Sequence, residues 1–405
     1  MRIGISGSGY GLGQVGGLQV YLRELLRALA EADAPGHEYV VFCSRAEESP
    51  PLPASPRFSA ARLQAPAPRR RPLPELLRFA LGWPPAPHPR AAEIDGLGLD
   101  LLHFATTRLP PLDLQTPVAL TFFDMQEEFH PGFFPLRERI GRAVAHRRGV
   151  GQARLVLVPS EFTARSLTSR YGTPGEKIVV VPVGISGRFR PREEPGERGR
   201  LESRYGLPGG DFALYPANPW PHKNHARLLA ALAGLARQRS LVVPLVCTGR
   251  LEGERRSVAA LAREAGLRPE QVRDLGFVAE EDMPALYRAA RVLVFPSLFE
   301  GFGMPVLEAM ACGCPVACAR TAALPEVGGE AVRYFDPRRP EDIAGAVAEV
   351  WSSDARRAEL AGRGTQRAEC FRWPAVIPRI LAAYARLASV RAAPGTLLRT
   401  AQREG

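Results

Sequence analysis

Two glutamates flank a short glycine loop in the second half of the chain. Glu300 and Glu308 lie eight residues apart, shortly after the apolar segment 292–295. Pro305 predicts a helix start, because an N–H in the first turn of a helix has no partner within the helix and proline lacks this N–H. A strand, a glycine loop and a helix N-terminus together make a site for an anion. The Glu308 carboxylate could accept hydrogen bonds from vicinal hydroxyls, so phosphate donors beside sugar acceptors indicate a nucleotide sugar.

The segment 295–317 closely resembles the signature of the retaining glycosyltransferases of family 4, also called glycosyl transferases group 1. In that family the first glutamate contacts the transferred sugar, the second holds the ribose, and amides of the glycine loop contact sugar and phosphate. The resemblance implies these roles for the following residues: Glu300, Glu308, Phe302, Gly303 and Met304. It also implies an α/β fold of the GT-B type, in which two Rossmann-like domains with parallel sheets face a central cleft.

Lys223 is one of only two lysines, whereas the chain holds 53 basic residues. It follows a predicted strand at 212–215 and precedes a helical pattern, so it lies at the ligand-binding edge of a parallel sheet. In the resembled family a lysine at this position binds the diphosphate, usually with an arginine about six residues earlier. No arginine stands there in this chain, and His222 and Arg250 are the candidates for a second cation.

The first half opens with a glycine-rich turn between a strand and a helix. Such a turn also suits a dinucleotide, but in the resembled family its paired glycines, here Gly16 and Gly17, approach the donor phosphates. The family pattern continues with a His-Asp pair after a later strand. Phe123 replaces that histidine, and the resemblance implies a site role for Asp124 alone.

Three further positions bear on the cleft. His103 and His130 are candidates to replace the missing histidine, although a structural role is the more common one for each. The pair Ser160-Glu161 is predicted to cap a helix beside the cleft, with capping alone as the alternative. Glu326 matches a family position near the donor pocket.

Strands and helices alternate along the second half, which predicts βαβ units and a parallel sheet. One of these helices is expected from about 341 to 360. The charged segment 191–200 is rich in Pro and Gly and marks the domain boundary. We therefore expect an acceptor-binding domain at 1–188, a donor-binding domain at 200–370, and a helix at 371–405 that returns to the first domain and ends in a tail.

Composition excludes several classes of protein. The net charge is +11, but the arginines are spread without an aromatic-rich basic block, so nucleic acid is not an expected partner. The six cysteines lack metal-ligand spacing and no Asp-x-Asp occurs, so neither a metal nor another cofactor is expected. No signal peptide or membrane-spanning run is found. The expected location is cytoplasmic, or peripheral at the cytoplasmic face of the membrane.

The segment 69–83 combines arginines, helically spaced leucines and Trp83. A basic amphipathic helix of this kind can lie on an anionic membrane, which would bring the site near a lipid-linked acceptor. The alternative is a long loop with one helix packed on its domain.

The resemblance implies transfer of a hexose, with retention, from a nucleoside-diphosphate sugar to a glycan or a lipid-linked saccharide. GDP-mannose is favoured because 220–224 resembles mannosyltransferase sequences, and UDP-sugars are the alternative. No residue pair indicates a double displacement, so we predict front-face substitution with Glu300, Lys223 and Asp124 as the catalytic residues. The departing diphosphate would take the acceptor's proton.

Other functions fit the sequence less well. A nucleotide-sugar epimerase needs an acid–base set that we do not find, and a phosphorylase usually needs a pyridoxal-binding lysine. A UDP-sugar-dependent glucosyl- or N-acetylglucosaminyltransferase and a non-catalytic nucleotide-sugar-binding relative are the remaining alternatives.

Overall fold

The computed structural model describes residues 1–7, 10, 17–43, 49–66, 77–78, 81–83, 85–192, 194–249 and 257–391. Its strands are β1 (Arg2–Ser6), β2 (Glu38–Cys43), β3 (Phe58–Arg62), β4 (Leu101–Phe104), β5 (Val118–Thr121), β6 (Leu155–Val158), β7 (Ile178–Val180), β8 (Ala213–Pro216), β9 (Leu245–Thr248), β10 (Val272–Asp274), β11 (Val292–Phe295), β12 (Val316–Ala319) and β13 (Arg333–Phe335).

The α-helices of the described residues surround these strands. They are α1 (Gly17–Glu31), α2 (Pro89–Asp95), α3 (Gln126–Phe129), α4 (Leu136–Gln152), α5 (Glu161–Tyr171), α6 (Glu197–Tyr205), α7 (His225–Arg239), α8 (Val258–Glu264), α9 (Met283–Ala289), α10 (Met304–Ala311), α11 (Leu324–Gly328), α12 (Pro340–Ser352), α13 (Asp354–Glu369) and α14 (Trp373–Arg391).

The strands form two parallel sheets, as predicted. The first has the order β3-β2-β1-β4-β5-β6-β7 and the second the order β10-β9-β8-β11-β12-β13. Strands such as β6 (LVLV) and β11 (VLVF) are buried throughout, because helices cover both faces of a parallel sheet. The strand order reverses between β1 and β4 and between β8 and β11. Loops at the carboxyl ends of strands beside such a reversal are where α/β folds bind ligands.

Two stretches of chain connect the two halves and run side by side. The Ile185 N–H donates to the carbonyl of Phe371 at 2.8 Å, beside the place where α14 begins. Gly184 is needed there, because a Cβ would lie 2.3 Å from the Trp373 ring. Helix α14 then packs on the first sheet, where the Tyr384 hydroxyl meets a ring nitrogen of His103 at 2.7 Å.

The helix expected from about 341 to 360 is wrong as a single element. The chain forms α12 and α13, which are separated by Ser353. The Ser353 hydroxyl accepts a hydrogen bond from the Arg356 N–H at 3.2 Å and so caps α13. Among the described residues, no helix combines the length and apolarity needed to cross a bilayer.

Candidate active site

Lys223 and Glu300 meet at the strand-order reversal of the second sheet. Lys223 follows β8 and Glu300 follows β11, which are neighbours in the sheet. The Lys223 Nζ donates to Glu300 Oε1 at 2.5 Å, and the side chains are only 19% and 14% exposed. Although 77 residues separate them in the sequence, the structure therefore brings both predicted residues together. The pair places a cation and an acceptor of hydroxyl hydrogen bonds within one partly desolvated site.

Asn224 holds the Lys223 segment in place. Its backbone is left-handed (φ 62°, ψ 32°), a conformation that Asn tolerates better than most residues. Its buried amide nitrogen donates to the carbonyls of Pro296 (3.1 Å) and Pro337 (2.7 Å). These bonds tie the lysine segment to the loop that leads to Glu300. Our sequence reasoning missed this role, although an Asn directly after a turn lysine is a signal for the left-handed conformation.

The glycine loop makes two very close approaches. Gly303 precedes α10 with φ 111°, where a side chain would be strained, and a Cβ would lie 2.5 Å from Leu324. A Cβ on Gly301 would lie 2.2 Å from the carbonyl oxygen of Phe123, which belongs to the first domain. The loop amides at 303 and 304 lie at the N-terminus of α10, as the sequence predicted. The Phe302 ring points elsewhere and packs edge-on against Phe371 at 5.7 Å.

Glu308 lies on α10 with its carboxylate partly buried. The Tyr287 hydroxyl donates to its Oε2 at 2.7 Å. Burial raises the pKa of Glu308, while the Tyr287 hydrogen bond and the nearby Arg188 charge oppose that rise. Tyr287 and Arg188 were both missed by sequence reasoning, because they come from α9 and from the connection between the domains. Tyr287 therefore orients the carboxylate that the sequence assigns to a ribose.

A charged group bridges the domains beside Glu308. Arg23 of α1 and Arg188 of the connecting segment both donate to the Glu280 carboxylate. Burial alone would raise the pKa of Glu280, but the two arginines lower it overall. A recess of about 230 Å³ lies next to this group, between α1 and the loop after β10, with Gln19 and Phe277 among its lining residues. This volume could hold part of a small ligand, and the lining residues come from both domains.

Asp124 lies across the cleft from the glycine loop. Burial, followed by the nearby charges of Glu127 and Glu300, raises the pKa of its carboxyl group. Phe123, which stands where the resembled family has histidine, packs edge-on against Tyr21 with ring centroids 5.0 Å apart. Asp124 therefore faces the site, while its neighbour is part of an apolar contact.

The two candidate replacement histidines lie in different environments. His103 is fully buried and bonded to Tyr384 and Thr121, both at 2.7 Å, and burial lowers its pKa to about 3. It is therefore a neutral, buried group with a partner at each ring nitrogen. His130 is half-buried, stacks on Phe133 at 5.2 Å and meets the Phe299 ring edge-on at 5.9 Å. It therefore borders the residue that precedes Glu300.

The remaining predicted donor-binding residues differ in their burial and contacts. Gly17 is the exposed first residue of α1, and a Cβ there would meet no atom within 4 Å. His222 is buried next to Lys223, and its carbonyl accepts the Leu298 N–H at 2.7 Å. Gly16 and Arg250 lie outside the described residues, as does most of the segment 69–83.

Helix α5 meets the second domain at its N-terminus. The Ser160 hydroxyl accepts the Thr163 N–H at 3.1 Å, which caps the helix, and it also donates to the Gly301 carbonyl at 2.8 Å. The Glu326 carboxylate accepts the N–H groups of Glu161 (2.7 Å) and Phe162 (2.6 Å). Ser160 is therefore both a cap and a cleft residue.

Both halves of the chain match models of related glycosyltransferase families. The model described as Glycosyl transferases group 1 matches residues 204–367, and the model described as Glycosyltransferase Family 4 matches residues 15–186. O-antigen chain mannosyltransferase B of Escherichia coli is 33% identical over 265 residues, which cover 65% of this chain and 69% of that protein.

Two solved structures show the same arrangement of two domains. Sucrose-phosphate synthase from Thermosynechococcus elongatus superposes with a TM-score of 0.72 at 21% identity, covering 96% of this chain and all of that one. HepE from Anabaena, in complex with UDP and glucose, gives 0.68 at 18% identity, with 95% and 100% covered. The predicted GT-B fold is thereby confirmed. On these matches and its own signature residues, the chain belongs to glycosyltransferase family 4 and is a hexosyltransferase.

Proposed function

We propose that this glycosyltransferase moves a hexosyl group, with retention of configuration, from a nucleoside-diphosphate sugar to an acceptor hydroxyl. The observation that carries the proposal is the contact between Lys223 and Glu300 at the strand-order reversal. A diphosphate that enters this site would attract Lys223 away from the carboxylate. Glu300 would then be released to accept hydrogen bonds from hydroxyls of the transferred sugar. The cleft would thus bind the groups on both sides of the bond that breaks, namely the sugar and the diphosphate.

The proposed reaction is a front-face substitution. The bond between the anomeric carbon and the diphosphate breaks, the acceptor oxygen bonds to the same face, and the diphosphate takes the acceptor's proton. Lys223 and the N–H groups at the start of α10 would stabilise the charge that develops on the leaving group. Asp124 lies opposite, where it would orient the sugar or the acceptor hydroxyl. We propose that these groups suffice without a metal ion.

Mannose is the favoured sugar and GDP its favoured carrier. The support is the mannosyltransferase from Escherichia coli, which is 33% identical to this chain, and the sequence around Lys223. A UDP-sugar is the alternative, because HepE binds UDP and glucose within the same fold. The recess between α1 and the loop after β10 adjoins Glu308 through Arg188 and Glu280, and there a nucleoside would contact both domains.

A thermal-shift screen tests the donor. The protein is mixed, in chelator, with GDP, UDP, ADP, dTDP and their common sugars, because a ligand that binds only the folded state raises its stability. We expect one nucleotide to raise the melting temperature selectively. Glu308→Ala should abolish the shift, whereas Glu330→Ala, an exposed acid of the same domain, should keep it. Equal shifts in both variants would contradict the ribose role.

We propose further that the acceptor is a glycan or a lipid-linked saccharide, and that the enzyme reaches it by lying on an anionic membrane. The surface in question is the exposed face of α4 and the turn before it. Phe133, Leu136 and Ile140 are 36%, 66% and 47% exposed. These three large, neighbouring side chains form an apolar patch that is exposed to solvent, and such a patch is typical of a binding surface.

Charge and position both favour a membrane as the occupant of this face. Helix α4 carries five arginines and one glutamate, and arginines near an anionic bilayer attract it. The Arg142 guanidinium lies over the Phe134 ring at 4.8 Å, which keeps an aromatic group at the base of the patch. The patch borders the cleft, because Phe133 stacks on His130, which contacts Phe299. A lipid-linked acceptor would thus enter beside Glu300.

Vesicle sedimentation tests the membrane contact. We expect wild type to bind vesicles that contain phosphatidylglycerol and not pure phosphatidylcholine. Leu136→Gln with Ile140→Gln should weaken binding by more than about tenfold, and Arg137→Gln by about fivefold.

Val242→Gln and Arg239→Gln are the matched controls, since both residues are exposed on the second domain. Unchanged binding of the α4 variants would exclude this face and return attention to the segment 69–83. Self-association that the same variants abolish would instead assign the patch to a second copy of the chain.

A further inference from the structure

The N-terminus of α5 is completed by a side chain from the other domain. The first N–H groups of any helix lack partners within the helix. Here Ser160 satisfies the N–H of Thr163, and Glu326 of the second domain accepts those of Glu161 and Phe162 at 2.7 and 2.6 Å. The Glu326 carboxylate also lies at the positive end of the helix dipole, where a negative charge is stabilised.

Two arginines lie next to this contact. Arg165, one turn along α5, lies 3.3 Å from Glu326 and adds an exposed ion pair. Arg367 of α13 donates to the backbone carbonyl of Glu326 at 2.7 Å, which holds α11 to its own domain. Arg367 therefore holds the backbone of Glu326 in its own domain, while the Glu326 carboxylate contacts α5 of the first domain.

The same helix start also holds the glycine loop. The hydroxyls of Ser160 and Thr163 donate to the Gly301 carbonyl at 2.8 and 3.3 Å. Gly301 follows Glu300 directly and abuts the Phe123 carbonyl. When Glu326 binds α5, Glu300 is consequently placed opposite Asp124. Without Glu326, only the Ser160 and Thr163 hydroxyls of this group would still tie α5 to the glycine loop.

We propose that Glu326 is a positioning residue, which closes the cleft by capping α5 across the domain interface and so sets Glu300 opposite Asp124. The resemblance places this residue near the donor pocket, and in the structure its carboxylate contacts the other domain. The inference rests on the proposed function only for its kinetic consequence. The domain contact itself can be measured without any substrate.

One pair of variants removes the carboxylate. Glu326→Ala should lower kcat by about tenfold, which corresponds to the loss of a charge-assisted hydrogen bond. The kcat of Glu326→Gln should lie between those of Glu326→Ala and wild type, because one acceptor oxygen remains. Small-angle scattering should show a larger radius of gyration for Glu326→Ala. Glu330→Ala, four residues along, is the control and should match wild type in both measurements.

A second pair removes the donor on the other side. Glu161 is the first residue of α5, where proline is tolerated, and Ser160 before it is extended (φ −152°, ψ 156°), as a residue preceding proline requires. Glu161→Pro deletes one of the two N–H groups that Glu326 accepts and should leave the helix intact. It should expand the protein and lower kcat in the same direction as Glu326→Ala but by less, while Glu161→Ala should do neither.

The double variant decides between a shared and a separate role. If the two residues act through one contact, Glu161→Pro should add little to Glu326→Ala. The proposal is overturned if Glu326→Ala matches Glu330→Ala in scattering and in kcat, or if Glu161→Pro matches Glu161→Ala. Should Glu326→Ala fail to fold, Glu161→Pro tests the contact alone. Should wild type transfer no sugar, the proposed function fails, while scattering still tests the closure.

Discussion

Lys223 owes its position to the residue that follows it. Asn224 adopts a left-handed backbone and uses one amide nitrogen to bind two carbonyls, of Pro296 and Pro337. The position of the Lys223 backbone is therefore fixed by the conformation and hydrogen bonds of Asn224. The proposed diphosphate contact depends on this geometry as much as on the charge.

Two substitutions at 224 separate the backbone strain from the lost amide bonds. Asn224→Ala and Asn224→Gly both leave the two carbonyls without their donor, but only alanine opposes the left-handed conformation. We expect Asn224→Ala to unfold in urea with a free energy about 1 kcal/mol lower than Asn224→Gly. Equal stabilities would mean that strain at this position is negligible.

Asp124 should destabilise the folded protein at neutral pH. Its pKa is raised on folding, so the charged form is disfavoured in the folded state. This penalty is absent below the pKa of the unfolded carboxyl and grows as the pH rises toward the folded value. Asp124→Asn should therefore raise the melting temperature at pH 7, and this gain should vanish in acid.

The exposed Asp33 provides the control for this prediction. Asp33→Asn should change the melting temperature little at either pH. A gain for Asp124→Asn that persists at low pH would show that packing, rather than charge, is responsible. Loss of transfer in the same variant would then report the site role separately from stability.

At the scale of elements, the glycine loop joins a strand, a helix and the opposite domain. Its sequence predicted the strand and the helix, because β11 is a continuous apolar run and Pro305 marks a helix start. The positions of Lys223 and Glu300 after strands of one parallel sheet were also predicted, but their direct contact was not. The burial of His103 was not predicted either, because it depends on the contact with α14 from the far end of the chain.

Gly301→Ala tests the close approach of the loop to the first domain. A Cβ at this position would lie 2.2 Å from the Phe123 carbonyl oxygen. Each domain can still fold, but the cleft cannot close to the same distance. We expect transfer to fall by about 100-fold, as for a misplacement of about 1 Å, with little change in melting temperature.

Gly345→Ala is the matched control, because a Cβ there meets no atom within 4 Å. It should leave transfer unchanged and, inside α12, stabilise the helix slightly. If Gly301→Ala is as active as Gly345→Ala, the contact with Phe123 is not part of the working enzyme.

At the scale of the whole molecule, the site exists only between two domains. The sheets, the signature loop and Lys223 could be predicted because each depends on local pattern or on one sheet. The contacts of Glu326 with α5 and of Arg23 with Glu280 could not, because they depend on how the domains meet. Sequence patterns could therefore place these residues within their own domain but not predict the contacts between the two domains.

The two lysines of the chain allow the most direct measurement. Lys223 contacts Glu300 in the cleft, whereas Lys177 donates to the Gly151 carbonyl at 2.8 Å on the first domain. Sugar transfer from the donor chosen by the thermal-shift screen would be followed, without metal, in wild type, Lys223→Ala and Lys177→Ala. We predict a loss of about 10²–10³ in kcat for Lys223→Ala and near wild-type transfer for Lys177→Ala. Equal activity of the two variants would contradict the assignment of the diphosphate site to Lys223.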